Sequence, residues 1–287
     1  MKTINKYLSL VKFSHTIFAL PFAAIGFMLG VQSGGFSWWL LLQVTICMVT
    51  ARTAAMAFNR LVDRDFDAKN PRTASREIPS GAISSSAAKA LIAICSLVFI
   101  GTCATINPLC LYLSPVALAV VLGYSYTKRF TSLCHLILGL GLAIAPIGAY
   151  IAVTGEFAVL PLLFSALVLS WVAGFDIIFA LQDIEFDKGE SLNSIPAKMG
   201  LRNALITSIF LHIITALIVA TVGIFYINNI WYWVGATAFG GLLTYQHIIV
   251  TPSNLSRVGL AFGTTNGIAS VVYSIFIALA LFAVQNS

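Results

Sequence analysis

Two short acidic stretches in an otherwise apolar chain hold the residue types that could do chemistry. Val62-Asp-Arg-Asp-Phe-Asp-Ala68 and Gln182-Asp-Ile-Glu-Phe-Asp-Lys188 align at an offset of 120 residues, which sets Asp63 on Asp183, Asp65 on Glu185, Phe66 on Phe186 and Asp67 on Asp187. Of ten acidic residues, nine (Asp63, Asp65, Asp67, Glu77, Asp176, Asp183, Glu185, Asp187 and Glu190) lie in or beside these stretches, and Glu156 stands alone. Asn59, Asp63 and Asp67 recur every four residues and so share one helix face. Asp176, Asp183 and Asp187, seven and four apart, do the same, with Asp176 at membrane depth. Like charges at such spacing repel, and a carboxylate inside a bilayer costs at least about 2.5 kcal/mol. A cation is expected to neutralise them. Oxygen-only donors suit a hard divalent ion, and Mg²⁺ typically takes one or two carboxylates while keeping waters and substrate phosphates. Asp65 and Glu185 are equally well explained as solvated loop ends.

Acids that hold a metal imply an anionic ligand, and the neighbouring cations suit one. Asn70-Pro-Arg-Thr-Ala-Ser-Arg-Glu-Ile-Pro-Ser-Gly81 supplies Arg72 and Arg76, and Tyr124-Ser-Tyr-Thr-Lys-Arg129 supplies Lys128, Arg129 and two tyrosines, Tyr126 among them. Arginine forks and lysine ammonium groups are common phosphate partners. Each basic residue taken alone also serves to orient the chain in a membrane. Arg52, inside an apolar run and seven residues before Asn59, falls on the same face as the acids. His15, His135, His212 and His247 are isolated in sequence, and a packed or hydrogen-bonded helix residue, rather than a ligand, is the expected role for each. No Gly-Lys-Ser/Thr phosphate loop is present, which removes support for ATP-driven transport.

The elements that must position these residues are membrane helices. The 287 residues are 59% hydrophobic and 9% charged, with mean hydropathy +0.94, far outside the range of soluble domains. Several apolar runs reach the ~20 residues needed to cross the hydrocarbon core, and none alternates as a barrel strand would. The expected fold is all-α, a polytopic bundle of about nine transmembrane helices near 12–32, 38–61, 86–106, 108–126, 133–153, 158–182, 203–226, 229–250 and 259–284. It divides into pseudo-repeated halves, about 12–126 with the acidic motif 59–67 and about 133–284 with the motif 176–187, within one integral-membrane domain. The first run is too long for a signal peptide and lacks a clear small-residue cleavage site, so it is expected to stay as a helix. Cys47, Cys95, Cys103, Cys110 and Cys134 form no Cys-x-x-Cys pair and read as small buried hydrophobes.

With nine helices drawn, all sixteen Lys and Arg residues fall on the side of the N-terminus. The positive-inside rule then places the N-terminus and both acidic clusters in the cytoplasm and the C-terminus outside. Trp38, Trp39, Tyr226, Trp231, Tyr232 and Trp233 would form an aromatic belt on the far side. The net charge of +6 is accounted for by orientation in lipid, so nucleic acid is not an expected partner. No obligatory protein partner is implied.

Taken together, Asn59-x-x-x-Asp63-x-x-x-Asp67, Arg72-Thr73-x-x-Arg76-x-x-Pro79-Ser80-Gly81, Tyr126-x-Lys128-Arg129 and Asp176-x6-Asp183-x3-Asp187 resemble the intramembrane aromatic prenyltransferases, the UbiA superfamily. The match runs over nearly the whole chain. Phe13-Ser-His-Thr-Ile-Phe-Ala-Leu-Pro-Phe22 and Ala173-Gly-Phe-Asp-Ile-Ile-Phe-Ala180 make it most similar to the 4-hydroxybenzoate polyprenyltransferases. The resemblance implies that Asp63, Asp67, Asp183 and Asp187, with Asn59, hold Mg²⁺ against the pyrophosphate of a polyprenyl diphosphate. Arg72, Arg76, Lys128 and Arg129, with Tyr126, would bind that diphosphate, and Asp176 would orient the acceptor or take its proton. Glu77-Ile78 stands where that family often has Pro-Leu, and Asn70-Pro71 resembles relatives acting on dihydroxynaphthoates. The implied reaction is transfer of a polyprenyl group to an aromatic quinone precursor, 4-hydroxybenzoate in ubiquinone biosynthesis or a dihydroxynaphthoate in menaquinone biosynthesis, in a bacterial-type inner membrane. A secondary transporter would share the repeated halves and intramembrane acids, but its site tends to lie near the midplane, whereas eight of the nine clustered acids fall at one rim.

Overall fold

The computed structural model describes residues 6, 7, 9, 10 and 18–282. Among them nine long helices form: α1 Leu20–Gly34, α2 Trp38–Val62, α4 Ser85–Ile106, α5 Pro108–Thr127, α6 Cys134–Thr154, α7 Val159–Ala180, α9 Ile195–Phe225, α10 Ile230–Ile249 and α11 Asn266–Phe282. Two short helices, α3 Arg64–Lys69 and α8 Ile184–Gly189, carry the acidic stretches. No strand forms among the described residues beyond an isolated bridge between Thr251 and Asn254. By length and composition seven segments suffice to cross a membrane, α1 being apolar but shorter. Residues 12–17, where the first helix was expected to begin, lie outside the described residues, as do Lys2, Lys12 and His15.

Helix starts follow the chemistry of their first residues. Ser37, Ser84, Asn107, Ser194 and Asn229 each accept a backbone N–H of the first turn, which satisfies a donor that the helix cannot. Pro108 and Pro196 follow two of these caps, where their missing N–H is no loss. One start differs from expectation in place and one, found where expected, differs in kind. The seventh long helix begins at Ile195, eight residues early, by passing through Gly200 at φ +76°, a left-handed position that glycine adopts freely. The last begins as a π-helical turn, Leu260–Thr265.

The largest core lies among α1, α6, α7, α9, α10 and α11, where Phe22, Phe164, Trp171, Tyr232, Phe239 and Tyr273 are buried together. Helix α1 therefore packs with the second group of helices rather than with the half to which its sequence position assigns it. Its approach to α6 is close because Gly26 has no side chain: a Cβ there would overlap the Pro146 carbonyl. Tyr232, expected in an aromatic belt, is instead fully buried and donates to the Val219 carbonyl at 2.6 Å. Trp38 and Trp39 are exposed, as a belt requires.

Helices α2, α4 and α5 are looser. With α6 they enclose an apolar cavity of about 360 Å³ whose polar lining groups include Arg52 and Tyr124. Those two residues lie two turns before Asn59 and one turn before Lys128, so the cavity leads toward the end of the bundle that carries the acids.

Candidate active site

Helix α2 ends at Val62, and Asp63 turns the chain into α3 with φ −88°, ψ 4°. The i to i−4 ladder nevertheless continues: Asp63 N–H donates to the Asn59 carbonyl at 2.9 Å and Asp67 N–H to the Asp63 carbonyl at 2.7 Å. The break thus keeps Asn59, Asp63 and Asp67 in register, and Asn59 Nδ2 donates to Asp63 Oδ2 at 3.1 Å. In the second stretch α7 gives way to a 3₁₀ turn, Leu181–Asp183, before α8. Asp176 stays on the long helix, and Asp183 and Asp187 belong to the turn and the short one.

The connection after α3 is a folded run of turns. Asn70 Oδ1 accepts Arg72 N–H at 3.0 Å, Thr73 Oγ1 donates to the Asp67 carbonyl at 3.1 Å, and Ile78 and Ile83 bury against Ala57 and Ala88. This fixes where the two arginines point. Arg76 Nη1 meets Asp67 Oδ1 at 2.7 Å. Arg72 reaches across to the other stretch, its Nε donating to Asp183 Oδ1 at 3.0 Å and its Nη2 to Asp183 Oδ2. Such two-point pairing is the strong form of an arginine–carboxylate contact. Asn70 Nδ2 adds a third bond to Asp183 Oδ1 at 3.1 Å, and Lys69 pairs with Glu190 at 2.6 Å. At the end of α5, Lys128 Nζ and Arg129 Nη2 lie 3.0 Å and 3.5 Å from the two oxygens of Asp63. The Lys128 carbonyl in turn accepts Asn193 N–H at 2.7 Å.

These contacts bring Asn59, Asp63, Asp67, Asp183, Arg72, Arg76, Lys128 and Arg129 into one rim cluster that joins the two stretches. Asp63 and Asp67 are 3% and 6% exposed. Asp187 sits at the edge, its Oδ2 accepting the Ser194 hydroxyl at 2.6 Å. Tyr126 stands outside, under the Arg129 guanidinium at 5.2 Å and edge-on to Phe58. Asp65 and Glu185 are 80% and 91% exposed, which fits solvated ends.

Asp176 is separate from the cluster. Its Oδ2 lies 2.7 Å from His135 Nδ1, and His135 Nε2 accepts the Ile195 N–H at 3.3 Å. That backbone donor fixes the tautomer, with the proton on Nδ1 and donated to Asp176. His135 is thus the hydrogen-bonded helix residue that was expected, but its partner was not foreseen. Its partner lies 41 residues away, so no local spacing signals the pair. His212 and His247 likewise meet at 2.8 Å, remote in sequence. Asn70 and Ser194 were also missed, because neutral residues leave no charge pattern to read.

Among the described residues no group of three or more His, Cys, Asp or Glu side chains is already gathered as a metal site. The carboxylates instead face cations. The fit to a hard divalent ion rests on two atoms: Asp63 Oδ1 and Asp67 Oδ2 are buried and accept no hydrogen bond. Unused carboxylate lone pairs away from water are costly, and an ion that needs one or two carboxylates would engage them.

A family model for the UbiA prenyltransferase family matches residues 19–268. The chain belongs to that family. Among curated relatives, a 4-hydroxybenzoate octaprenyltransferase from Albidiferax ferrireducens is 34% identical over 180 residues, 62% of this chain and 58% of that protein. The chain thus spans less than two thirds of that relative's length. One of the same name from Photobacterium profundum is 30% identical over 82% of this chain and 81% of its own. Among solved structures, a UbiA homolog from Aeropyrum pernix superposes with TM-score 0.81 at 31% identity, covering 94% of this chain and 98% of its own. A UbiA homolog from Archaeoglobus fulgidus, solved with GPP and Mg²⁺, superposes with TM-score 0.78 at 22% identity over 96% and 99%, a likeness of fold.

Proposed function

We propose that this UbiA family member transfers a polyprenyl group from a polyprenyl diphosphate to an aromatic quinone precursor, 4-hydroxybenzoate in the first instance, with Mg²⁺. The observation that carries the reading is the bridged rim: Arg72 after one stretch gripping Asp183 of the other, beside Lys128 and Arg129 on Asp63, one to two helical turns beyond the Arg52 and Tyr124 that line an apolar cavity. Relatives named 4-hydroxybenzoate octaprenyltransferase support this acceptor over a dihydroxynaphthoate. The solved relative that carries GPP and Mg²⁺ supports the donor and the metal.

In this reading Asn59, Asp63, Asp67, Asp183 and Asp187 hold Mg²⁺, which when bound supplies positive charge against the leaving diphosphate. Arg72, Arg76, Lys128 and Arg129, with Tyr126 at the edge, exchange carboxylates for phosphate oxygens and stabilise the charge that builds as the allylic C–O bond breaks. The aromatic ring then attacks the carbon, a C–C bond forms, and the displaced ring proton leaves to a base. In this reading Asp176, which accepts from His135 Nδ1–H, takes it or orients the phenol. Water would quench an allylic cation, and the apolar lining from Val44 to Phe157 excludes it while housing the isoprenoid tail. We place the N-terminus and rim in the cytoplasm of a bacterial-type inner membrane, on the positive-inside asymmetry. The chain acts as one domain in two related halves, with no protein partner required.

The test is to supply the purified chain with Mg²⁺, a polyprenyl diphosphate and each candidate phenol, then weigh the products. Prenylated 4-hydroxybenzoate is the expected result. Prenylated dihydroxynaphthoate alone would move the chain to the other pathway, and no prenylated ring with any acceptor would end the proposal.

A further inference from the structure

A second cationic cleft lies on the outside of the bundle. It encloses about 570 Å³ between α2, α4 and α5, and its lining includes Phe58, Leu61, Arg64, Lys89, Tyr126 and Arg129. Three cations line it: Asp65 engages Arg64 at 3.4 Å, Asp63 lies 3.5 Å from Arg129 on the rim side, and Lys89 has no carboxylate opposite it among the described contacts, so the cleft keeps a net positive charge. Arg64 and Lys89 are exposed. Arg129 forms the wall between this cleft and the rim cluster, since its Nη2 donates to the Val62 carbonyl at 2.8 Å while its guanidinium lies 5.2 Å from the rings of both Phe66 and Tyr126.

What lies beneath the cleft decides the occupant. Helix α4 runs from Lys89 into the membrane, and Lys89, Ala93 and Leu97 recur every four residues along one exposed face. Leu97 is 70% exposed and Ile94 59%, as lipid-facing side chains are. A surplus of positive charge at headgroup level, continuous with an apolar helix face, complements an amphiphile with an anionic head. Basic groups at a helix end attract anionic lipid in this way.

We propose that the Arg64, Lys89 and Arg129 cleft binds the phosphate of an anionic phospholipid, with its acyl chains lying along α4. The site is distinct from the cavity that leads to the acids, which opens among the inner faces of the same helices. It does not depend on the reaction proposed above.

The experiment mixes the purified full chain in detergent with equal amounts of phosphatidylglycerol and phosphatidylcholine and counts retained lipid by native mass spectrometry. Wild type is expected to retain the anionic lipid preferentially. Combined Arg64→Gln and Lys89→Gln is expected to lower that preference about thirtyfold, and Arg64→Lys with Lys89→Arg to keep it. Thermal unfolding checks that each variant is folded, and Lys89→Gln alone, about fivefold weaker, serves if the double variant is not. Millimolar glycerol phosphate should leave the bound lipid in place. Equal retention of the two lipids by wild type, an unchanged preference in the glutamine variants, or displacement by glycerol phosphate would each overturn the assignment, the last in favour of a free-phosphate site.

Discussion

Asp63 and Asp67 are buried and each faces cations contributed by the first 129 residues, Lys128 and Arg129 on one and Arg76 on the other. Asp183, the counterpart of Asp63, has no such supply on its own side. Lys188, the cation nearest to it in sequence, pairs with the exposed Glu185, so Arg72 crosses from the first stretch to hold Asp183. Asp187, the counterpart of Asp67, takes its hydrogen bond from the neutral Ser194 hydroxyl and feels Lys128 only through space, with no ion pair among the described contacts. Two stretches nearly equal in sequence are therefore unequal in charge balance. One is neutralised from within, and the other is tied to it from outside, by Arg72 and Asn70 on Asp183 and by Lys69 on Glu190. That asymmetry makes Arg72 the link between the halves of the site.

The comparison can be broken most severely at the acids themselves. Asp63→Ala and Asp183→Ala should each lower prenyl transfer by about 10³-fold or more, measured as product per unit of folded protein, because each strands cations and removes a carboxylate that we propose holds the metal. Arg72→Lys keeps the charge but not the two-point fork, and should cost about 10²-fold in kcat/KM, more than Arg76→Lys, since Arg76 bonds an acid of its own stretch. Equal losses would erase the asymmetry. His135→Asn should lower kcat by about tenfold with KM for the diphosphate unchanged, because the histidine positions Asp176 without touching the rim acids. At the bottom of the scale, Asp65→Asn and Glu185→Gln should change the rate by less than about twofold, since both side chains are solvated.

The bundle was legible because apolar run length and the one-sided placement of Lys and Arg are properties that every membrane helix must satisfy. Four-residue spacing likewise exposed Asn59, Asp63 and Asp67 as a set, and the register survived the bend at Asp63 because the hydrogen-bond ladder does not break there. The second set was less faithfully readable. Asp176 shares the spacing of Asp183 and Asp187, but the 3₁₀ turn at Leu181 changes the rise and rotation per residue, and Asp176 turns to His135 instead. Contacts such as Arg72 with Asp183, 111 residues apart, are tertiary, and composition foretold only that some cation must be there. Tyr232 shows the opposite error: an aromatic at a helix end reads as a membrane belt, and its burial is decided by Tyr273, on a helix far along the chain.

The central claim is that both stretches hold one diphosphate together through a divalent ion. Calorimetric titration of the purified chain with an unreactive prenyl thiodiphosphate, with and without Mg²⁺, tests it most directly. Binding is predicted to require Mg²⁺ and to be lost alike in Asp63→Asn and Asp183→Asn. Binding that persists without the metal, or that survives intact in either variant, would contradict it.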